Sequence, residues 1–345
     1  MMLSKLSIVK LWLALIGLAF LVSCLDAPER IEFRGETMGT TYSVVLFSKD
    51  PRHSADKIQT KVDTVLERVN AQMSTYDPNS ELSQFNQLSS TSPVVISRDL
   101  ERVVSRALEI ARQTDGALDI TVGPLVNLWG FGPNAKPEQQ PTAEELSVIS
   151  EKVGFEKLSV SNHQLIKSHP EMYVDLSTIA KGYGVDKVGN LMEQLGINQY
   201  LIEIGGEILA KGGKPADANW KLAIEKPIST ERAVQEIVEF KEGALATSGD
   251  YRNYFEEEGR RYSHIIDPET GKPIQHNLVS VSVYADDTMS ADAYATALLV
   301  MGTEKAKAFA EENQLAVMLI SKTDEGFEEY ASKWFKPLLV SNKQE

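Results

Sequence analysis

Two short stretches hold residues whose types and spacing suit phosphate chemistry. The first reads Tyr-Ser-His-Ile-Ile-Asp-Pro-Glu-Thr-Gly-Lys-Pro, from Tyr262 to Pro273. It sets His264 at the end of a short apolar strand, just before a tight Asp-Pro-Glu-Thr-Gly turn, where rigid scaffolds hold reactive groups. The second reads Met-Ser-Ala-Asp-Ala-Tyr-Ala-Thr-Ala, from Met289 to Ala297. There Asp292 and Thr296 stand four apart, so on a helix they share a face. A carboxylate and a hydroxyl are hard oxygen ligands of the kind Mg²⁺ accepts, with waters and substrate phosphates completing its shell. A histidine beside such a pair suggests metal-assisted phosphate chemistry. Each signal alone has a plainer reading. A histidine in an apolar strand is also a common core residue, and a helical Asp/Thr pair is also a solvated face or a cap.

Three further segments add candidates. Met73–Ser83 follows a helical pattern and is rich in turn residues; its Tyr76 either stacks on a planar ring or covers the helix end. Gly116–Pro124 puts Asp119 at a strand entry, where it reads a ring N–H or caps a turn. Asp175–Gly182 opens a helix. A helix N-terminus binds anions, and Lys181 adds positive charge, while Asp175 also fits a plain N-cap.

Stepping outward, these residues need strands and helices to hold them. Thr40–Phe47 reads as a strand from its alternation and β-branched content. Ile58, Val62, Val65, Leu66 and Val69 recur at helical spacing. Leu100, Val103, Val104, Ala107, Leu108 and Ala111 mark a second helix, capped by Ser97 and ended by Gly116. Thr142 and Glu145 form a capping box for a third. Trp129–Pro141 is a glycine- and proline-rich loop. Asp175–Leu195 reads as a helix carrying Gly182, Gly184 and Gly189, which cost it stability and point to a close neighbour. Tyr200–Ala210 is a hairpin turning at Gly205-Gly206. Strands follow near Trp220–Ile224, Val234–Phe240, Arg261–Ile266 and Leu278–Tyr284. Helices are expected over Ser290–Met301 and Thr303–Glu312, and a late strand over Leu315–Ile320. Strands and helices come in mixed blocks, which favours α+β over a doubly wound sheet.

The chain has 345 residues, of which 42% are apolar, enough to bury a sizeable core. Its formal charge of −14 argues against nucleic acid as a partner, since phosphate neutralisation needs a basic face. Lys5 and Lys10 precede the apolar run Leu11–Val22, and Leu21-Val22-Ser23-Cys24 resembles a bacterial lipobox. Cleavage before Cys24 would leave that cysteine lipid-modified, and loss of the two lysines takes −14 to −16. Cys24 is the one cysteine of the chain, so no intramolecular disulfide forms. Leu25, with Asp26 after it, leaves the target leaflet open. The expected plan is a leader over 1–23, a tether over 24–34 and one domain over 35–340. Several common sites are missing: there is no P-loop, H-E-x-x-H or G-x-S-x-G motif. Gly182-Tyr-Gly184 has Lys187 where a dinucleotide fingerprint needs glycine. His163 and His169 lie in a polar loop with no cysteine to complete a zinc site.

Taken together, the motifs resemble the ApbE family of FAD:protein FMN transferases from about Gly35 to Gly302. The resemblance rests on Thr37-Met-Gly-Thr-Thr-Tyr42, Met73–Ser83, Gly116–Pro124, Asp175–Gly182, Tyr262–Pro273 and Met289–Ala297, with the lipobox in front. It implies an α+β fold with a T-fold-like core of mixed, mainly antiparallel sheets and packed helices. It also implies an enzyme that splits FAD at its pyrophosphate, passes FMN to a threonine hydroxyl of a target protein and releases AMP. Family targets are flavoprotein subunits of Na⁺-translocating NADH:quinone reductase and Rnf-type complexes. By the same resemblance, Met38, Tyr76, Ala117, Leu118, Asp119, Asp175 and Lys181 line the FAD site, joined by Ile266. Thr178, Asp292 and Thr296 fall at Mg²⁺ positions, Thr178 through either its side chain or its backbone carbonyl, and His264 at the catalytic histidine. The lipobox implies a lipid anchor in the cell envelope, at the inner membrane facing the periplasm. Two other activities fit the same motifs: Mg²⁺-dependent FAD hydrolysis and non-catalytic FAD binding by a lipoprotein.

Overall fold

The computed structural model describes residues 27–132, 140–228, 233–251, 254–257 and 260–340. The leader and Cys24 lie outside them, as do residues 133–139 of the Trp129–Pro141 loop. Among the described residues no helix is long and apolar enough to cross a membrane.

The fold opens with β1 (Glu29–Thr37) and β2 (Thr40–Ser48), paired antiparallel along their whole length. Residues 29–34, expected in a tether, are therefore strand. The charges of Arg30, Glu32 and Arg34 resemble a solvated linker, but Ile31 and Phe33 alternate with them and are buried. Next come α1 (Ala55–Met73), α2 (Glu81–Gln87), β3 (Val94–Val95), α3 (Arg98–Gln113), α4 (Gly123–Leu128) and α5 (Ala143–Ser150). Ser97 caps α3, its hydroxyl accepting from Leu100 N, and the Thr142/Glu145 capping box of α5 is present. β4 (Leu158–Ser161) and β5 (Gln164–Lys167) form a small sheet with β3.

α6 spans Ala180–Gln194, five residues shorter at its start than the spacing predicts. Asp175 does not cap it. Its Oδ1 accepts from Ser177 N at 2.8 Å, closing a side-chain turn that replaces the first helical turn. Then follow β6 (Tyr200–Ile204) and β7 (Glu207–Lys211), the expected hairpin, with φ of 60° and 106° at Gly205 and Gly206. The remaining elements are β8 (Trp220–Glu225), β9 (Val234–Phe240), β10 (Gly243–Gly249), β11 (Tyr254–Glu257), β12 (Arg260–Ser263), β13 (Ile266–Asp267), β14 (Lys272–Pro273), β15 (Leu278–Ala285), α7 (Thr288–Met301), α8 (Thr303–Glu312), β16 (Ala316–Thr323) and β17 (Gly326–Ala331). The strand expected over Arg261–Ile266 is broken at His264 and Ile265 into β12 and β13.

One eight-stranded sheet, ordered β1-β2-β6-β7-β10-β15-β16-β17, organises the molecule, and each of its neighbouring pairs is antiparallel. The α+β class expected from the sequence is the one found. Alternation along the strands splits the core between two faces. Ala244, Ala246, Val317 and Leu319 face α7 and α8, while Leu245, Met318 and Ile320 face Trp220 and Val238 of the β8–β9 hairpin. α1 and α6 cover the β1–β2–β6 end through Ile58, Val62, Leu66, Val185, Val188 and Met192. Each such buried side chain contributes roughly 1.5–3 kcal/mol.

α6 and α7 cross closely, and Gly182 explains how. A Cβ there would lie 2.3 Å from the Thr288 carbonyl oxygen, so only hydrogen fits. Gly182→Ala should destabilise the fold by about 1–3 kcal/mol, the usual range for overpacking. Equilibrium denaturant unfolding checks this, and an unchanged midpoint would contradict the contact.

Candidate active site

The crossing of α6 and α7 forms one wall of a cavity of about 610 Å³. On α7, Asp292 and Thr296 do share a face, and both are buried. Gly182 N donates to Asp292 Oδ2 at 3.0 Å, so the close crossing also orients the carboxylate. The first turn of α7 is fastened from two sides. Its own Asp287 accepts from Ser290 N at 2.8 Å, while Asp186 of α6 accepts from Thr288 N and Met289 N at 2.8 and 2.9 Å. Burial pushes the Asp186 carboxyl up to about 6, against the pull of those two N–H groups. Asp186→Ala should lower stability by about 0.5–2 kcal/mol, the cost of a lost helix cap. Thermal unfolding reads this; an unchanged midpoint would dismiss the cap.

Lys181 Nζ lies 2.7 Å from Glu207 Oε1 and 3.6 Å from Asp292 Oδ1. Burial alone would lower the Lys181 ammonium, but the Asp292 and Glu207 carboxylates outweigh it and hold it charged. Burial pushes the Glu207 carboxyl above the usual carboxylate range, with Lys181 pulling the other way. Thr296 Oγ1 and Ser248 Oγ are 3.1 Å apart. Among the described residues, two polar atoms of this cavity are buried without a hydrogen-bond partner: Thr178 Oγ1 and Glu207 Oε2. Buried polar atoms normally find partners, so an orphaned pair in one cavity marks a place for a ligand.

The donor set fits a hard divalent cation. Asp292 offers a carboxylate, Thr296 a hydroxyl and Thr178 an unused oxygen. Among the described residues no group of three or more His, Cys, Asp or Glu is placed to hold a metal. Mg²⁺ commonly takes one or two carboxylates with waters and substrate phosphates completing its shell.

His264 follows β12 on another wall of the same cavity, half-buried. Ser263 Oγ accepts from Ile265 N at 3.1 Å, closing the bend that carries the histidine. The Phe131 ring meets it edge-on at 6.4 Å. Behind it, Asp267 fixes the turn: its carboxylate accepts from Glu269 N at 2.9 Å and from the Thr270 hydroxyl at 3.0 Å. Trp129 Nε1 donates to Gly271 O at 2.8 Å, and its ring stacks on Tyr262 at 5.8 Å. His264 therefore sits on a rigid support at a cavity edge, which is not the environment of an enclosed core histidine.

Asp119 is not at a strand entry but in a turn between α3 and α4. Its Oδ1 accepts from Thr121 N and Oγ1, both at 2.7 Å, and its Oδ2 from Phe155 N at 2.9 Å. Burial raises the carboxyl while those donors lower it. Asp119, Ala117 and Leu118 all line the cavity, as do Asp175 and Ile266. Tyr76 stands at the cavity edge 71% exposed, so it does not cover the end of α1. Met38 is the one predicted binding residue absent from this wall. It occupies the β1–β2 turn at φ 49°, over Gly184, where an added Cβ would come within 2.7 Å of its methyl.

Residues 38–319 match the model of the ApbE family. The chain belongs to the ApbE family. A relative from Vibrio cholerae serotype O1 (strain ATCC 39541, Classical Ogawa 395) bears the name FAD:protein FMN transferase. It is 51% identical over 329 residues, covering 95% of this chain and 98% of its own. The Haemophilus influenzae protein of the same name is 47% identical, over 92% and 94% of the two chains. Among solved structures, the flavin transferase ApbE from Vibrio cholerae superposes with a TM-score of 0.85 at 50% identity, covering 90% of this chain and all of that one. The apo flavinyl transferase ApbE of Pseudomonas stutzeri gives 0.84 at 38% identity, covering 91% and 98%. In this ApbE chain the sequence reading missed Glu207, Asp186 and Ser248. Glu207 carried a signal: an acidic residue directly after Gly-Gly in a short hairpin. Asp186 and Ser248 carried none that separates them from ordinary helix and strand positions.

Proposed function

We propose that this protein is an FAD:protein FMN transferase that moves FMN from FAD to a threonine hydroxyl of a partner flavoprotein and releases AMP. The observation that carries the reading is one cavity that gathers His264, Asp292, Thr296 and Thr178 with Tyr76 and Asp119. Membership of the ApbE family and the names of the Vibrio and Haemophilus relatives support it.

In this reading Tyr76 and the Ala117–Asp119 turn bind the flavin end, and Lys181 meets the pyrophosphate. Asp292, Thr296 and an oxygen of Thr178 hold Mg²⁺. When bound there, Mg²⁺ would neutralise charge on the pyrophosphate and so ease attack on phosphorus. His264 takes the proton of the incoming threonine hydroxyl, whose oxygen forms a bond to the FMN phosphorus as the bond to the AMP phosphate breaks. A histidine titrates in the range such a proton transfer needs. The lipobox ending at Cys24 supports a lipid anchor at the inner membrane, with the domain in the periplasm. There it would meet flavoprotein subunits of Na⁺-translocating NADH:quinone reductase or Rnf-type complexes.

The deciding experiment incubates the protein with FAD, Mg²⁺ and such a subunit, then reads flavin fluorescence in a denaturing gel. A labelled subunit supports the transferase. FMN and AMP without label would make it a pyrophosphatase, and intact FAD would make it a binder.

A further inference from the structure

We infer that Glu207 is a positioning residue that draws Lys181 away from Asp292 and so keeps the Asp292 carboxylate open to a divalent cation. This rests on the reading of a divalent ion at Asp292 given above. Lys181 Nζ makes a close ion pair with Glu207 Oε1 at 2.7 Å and only a looser one with Asp292 Oδ1 at 3.6 Å. Both acids are buried: their side chains are each 3% exposed, against 30% for Lys181. Charges screened this little by water interact strongly. An ammonium seated on Asp292 would occupy the place and the charge that a metal needs.

The geometry makes the same point: with Glu207 removed, Asp292 becomes the nearest carboxylate to Lys181. The hairpin is built to deliver Glu207 to this position. Gly205 lies against the lysine stem, where an added Cβ would be 3.4 Å from Lys181 Cδ and 2.9 Å from Thr40 Cγ2. Glu207 follows that turn as the first residue of β7. A purely structural glutamate would satisfy both oxygens, yet Oε2 has no hydrogen-bond partner.

The test measures Mn²⁺ binding to the full chain, without FAD, from the electron paramagnetic resonance of the free ion. Glu207→Gln keeps the shape and removes the charge. It should weaken Mn²⁺ binding about tenfold or more. Lys181→Met alone should tighten binding, and it tests the same competition if Glu207→Gln does not fold. The double variant should return to within about threefold of wild type, because neighbouring substitutions that share one interaction are not additive. Unchanged binding in Glu207→Gln would overturn the inference. So would a double variant as weak as Glu207→Gln, since Glu207 would then act as a ligand or a prop. If wild type binds no Mn²⁺, or Asp292→Asn binds as wild type does, the metal reading falls and takes this inference with it.

Discussion

Replacing His264 by asparagine is expected to abolish flavin transfer while FAD still binds. The site predicts this separation because, of the residues proposed to bind flavin, only Ile266 shares a segment with His264, and the others come from different elements. Tyr76 and the Asp119 turn precede and follow α3, whereas His264 hangs between β12 and β13. The Asp267 turn and the Trp129 to Gly271 hydrogen bond do not depend on the imidazole, so the support should survive. Loss of a general base costs roughly 10²–10⁴-fold in rate. FAD affinity, read by quenching of flavin fluorescence, should change little. Transfer at the wild-type rate would remove His264 from the chemistry. Lost transfer together with lost FAD binding would make it a binding residue instead.

Asp292→Asn is the second large effect. Asparagine keeps the length of the side chain and can still accept from Gly182 N, so the α6–α7 crossing should hold. What goes is the negative charge beside Thr296. Metal stabilisation of a phosphoryl transition state is worth several kcal/mol. About 4 kcal/mol corresponds to roughly a thousandfold in rate. Transfer should fall by at least that order, and raising Mg²⁺ should not restore it. Adding a chelator to the wild-type protein should give the same loss, reversed by Mg²⁺. A variant that remained active in chelator would separate Asp292 from metal binding.

Much of this architecture can be read locally. Periodic apolar residues mark α1 and α3, Gly205-Gly206 marks the β6–β7 hairpin, and the Thr142/Glu145 box marks α5. Asp292 and Thr296 are legible as a pair because helical spacing alone puts them on one face. The start of α6 misleads because Asp175 looks like an N-cap, while its side chain closes a turn with Ser177 instead. β1 is hidden because its charges suggest a linker, although Ile31 and Phe33 carry the alternation of a strand. Glu207 is the instructive miss. Its neighbours describe a solvated hairpin, and only the meeting of β7 with α6 and α7 buries it beside Lys181. The Gly-Gly-Glu run marks the residue, but its burial beside Lys181 depends on contacts distant in sequence.

The strand order of the large sheet has a consequence for how the site comes into being. β7 pairs with β10, and β10 with β15, so residues far apart in the chain must meet before the sheet is continuous. Long-range antiparallel pairing is slow because chain entropy is lost before contacts repay it. The cavity draws on Tyr76 at one end and Thr296 at the other, with Lys181 and His264 between. No early-folding fragment of the chain would hold a usable set of these residues. Under the proposed function, flavin and metal would thus have nothing to grip until α7 packs onto the sheet, and their binding would then act as a latch on the finished fold.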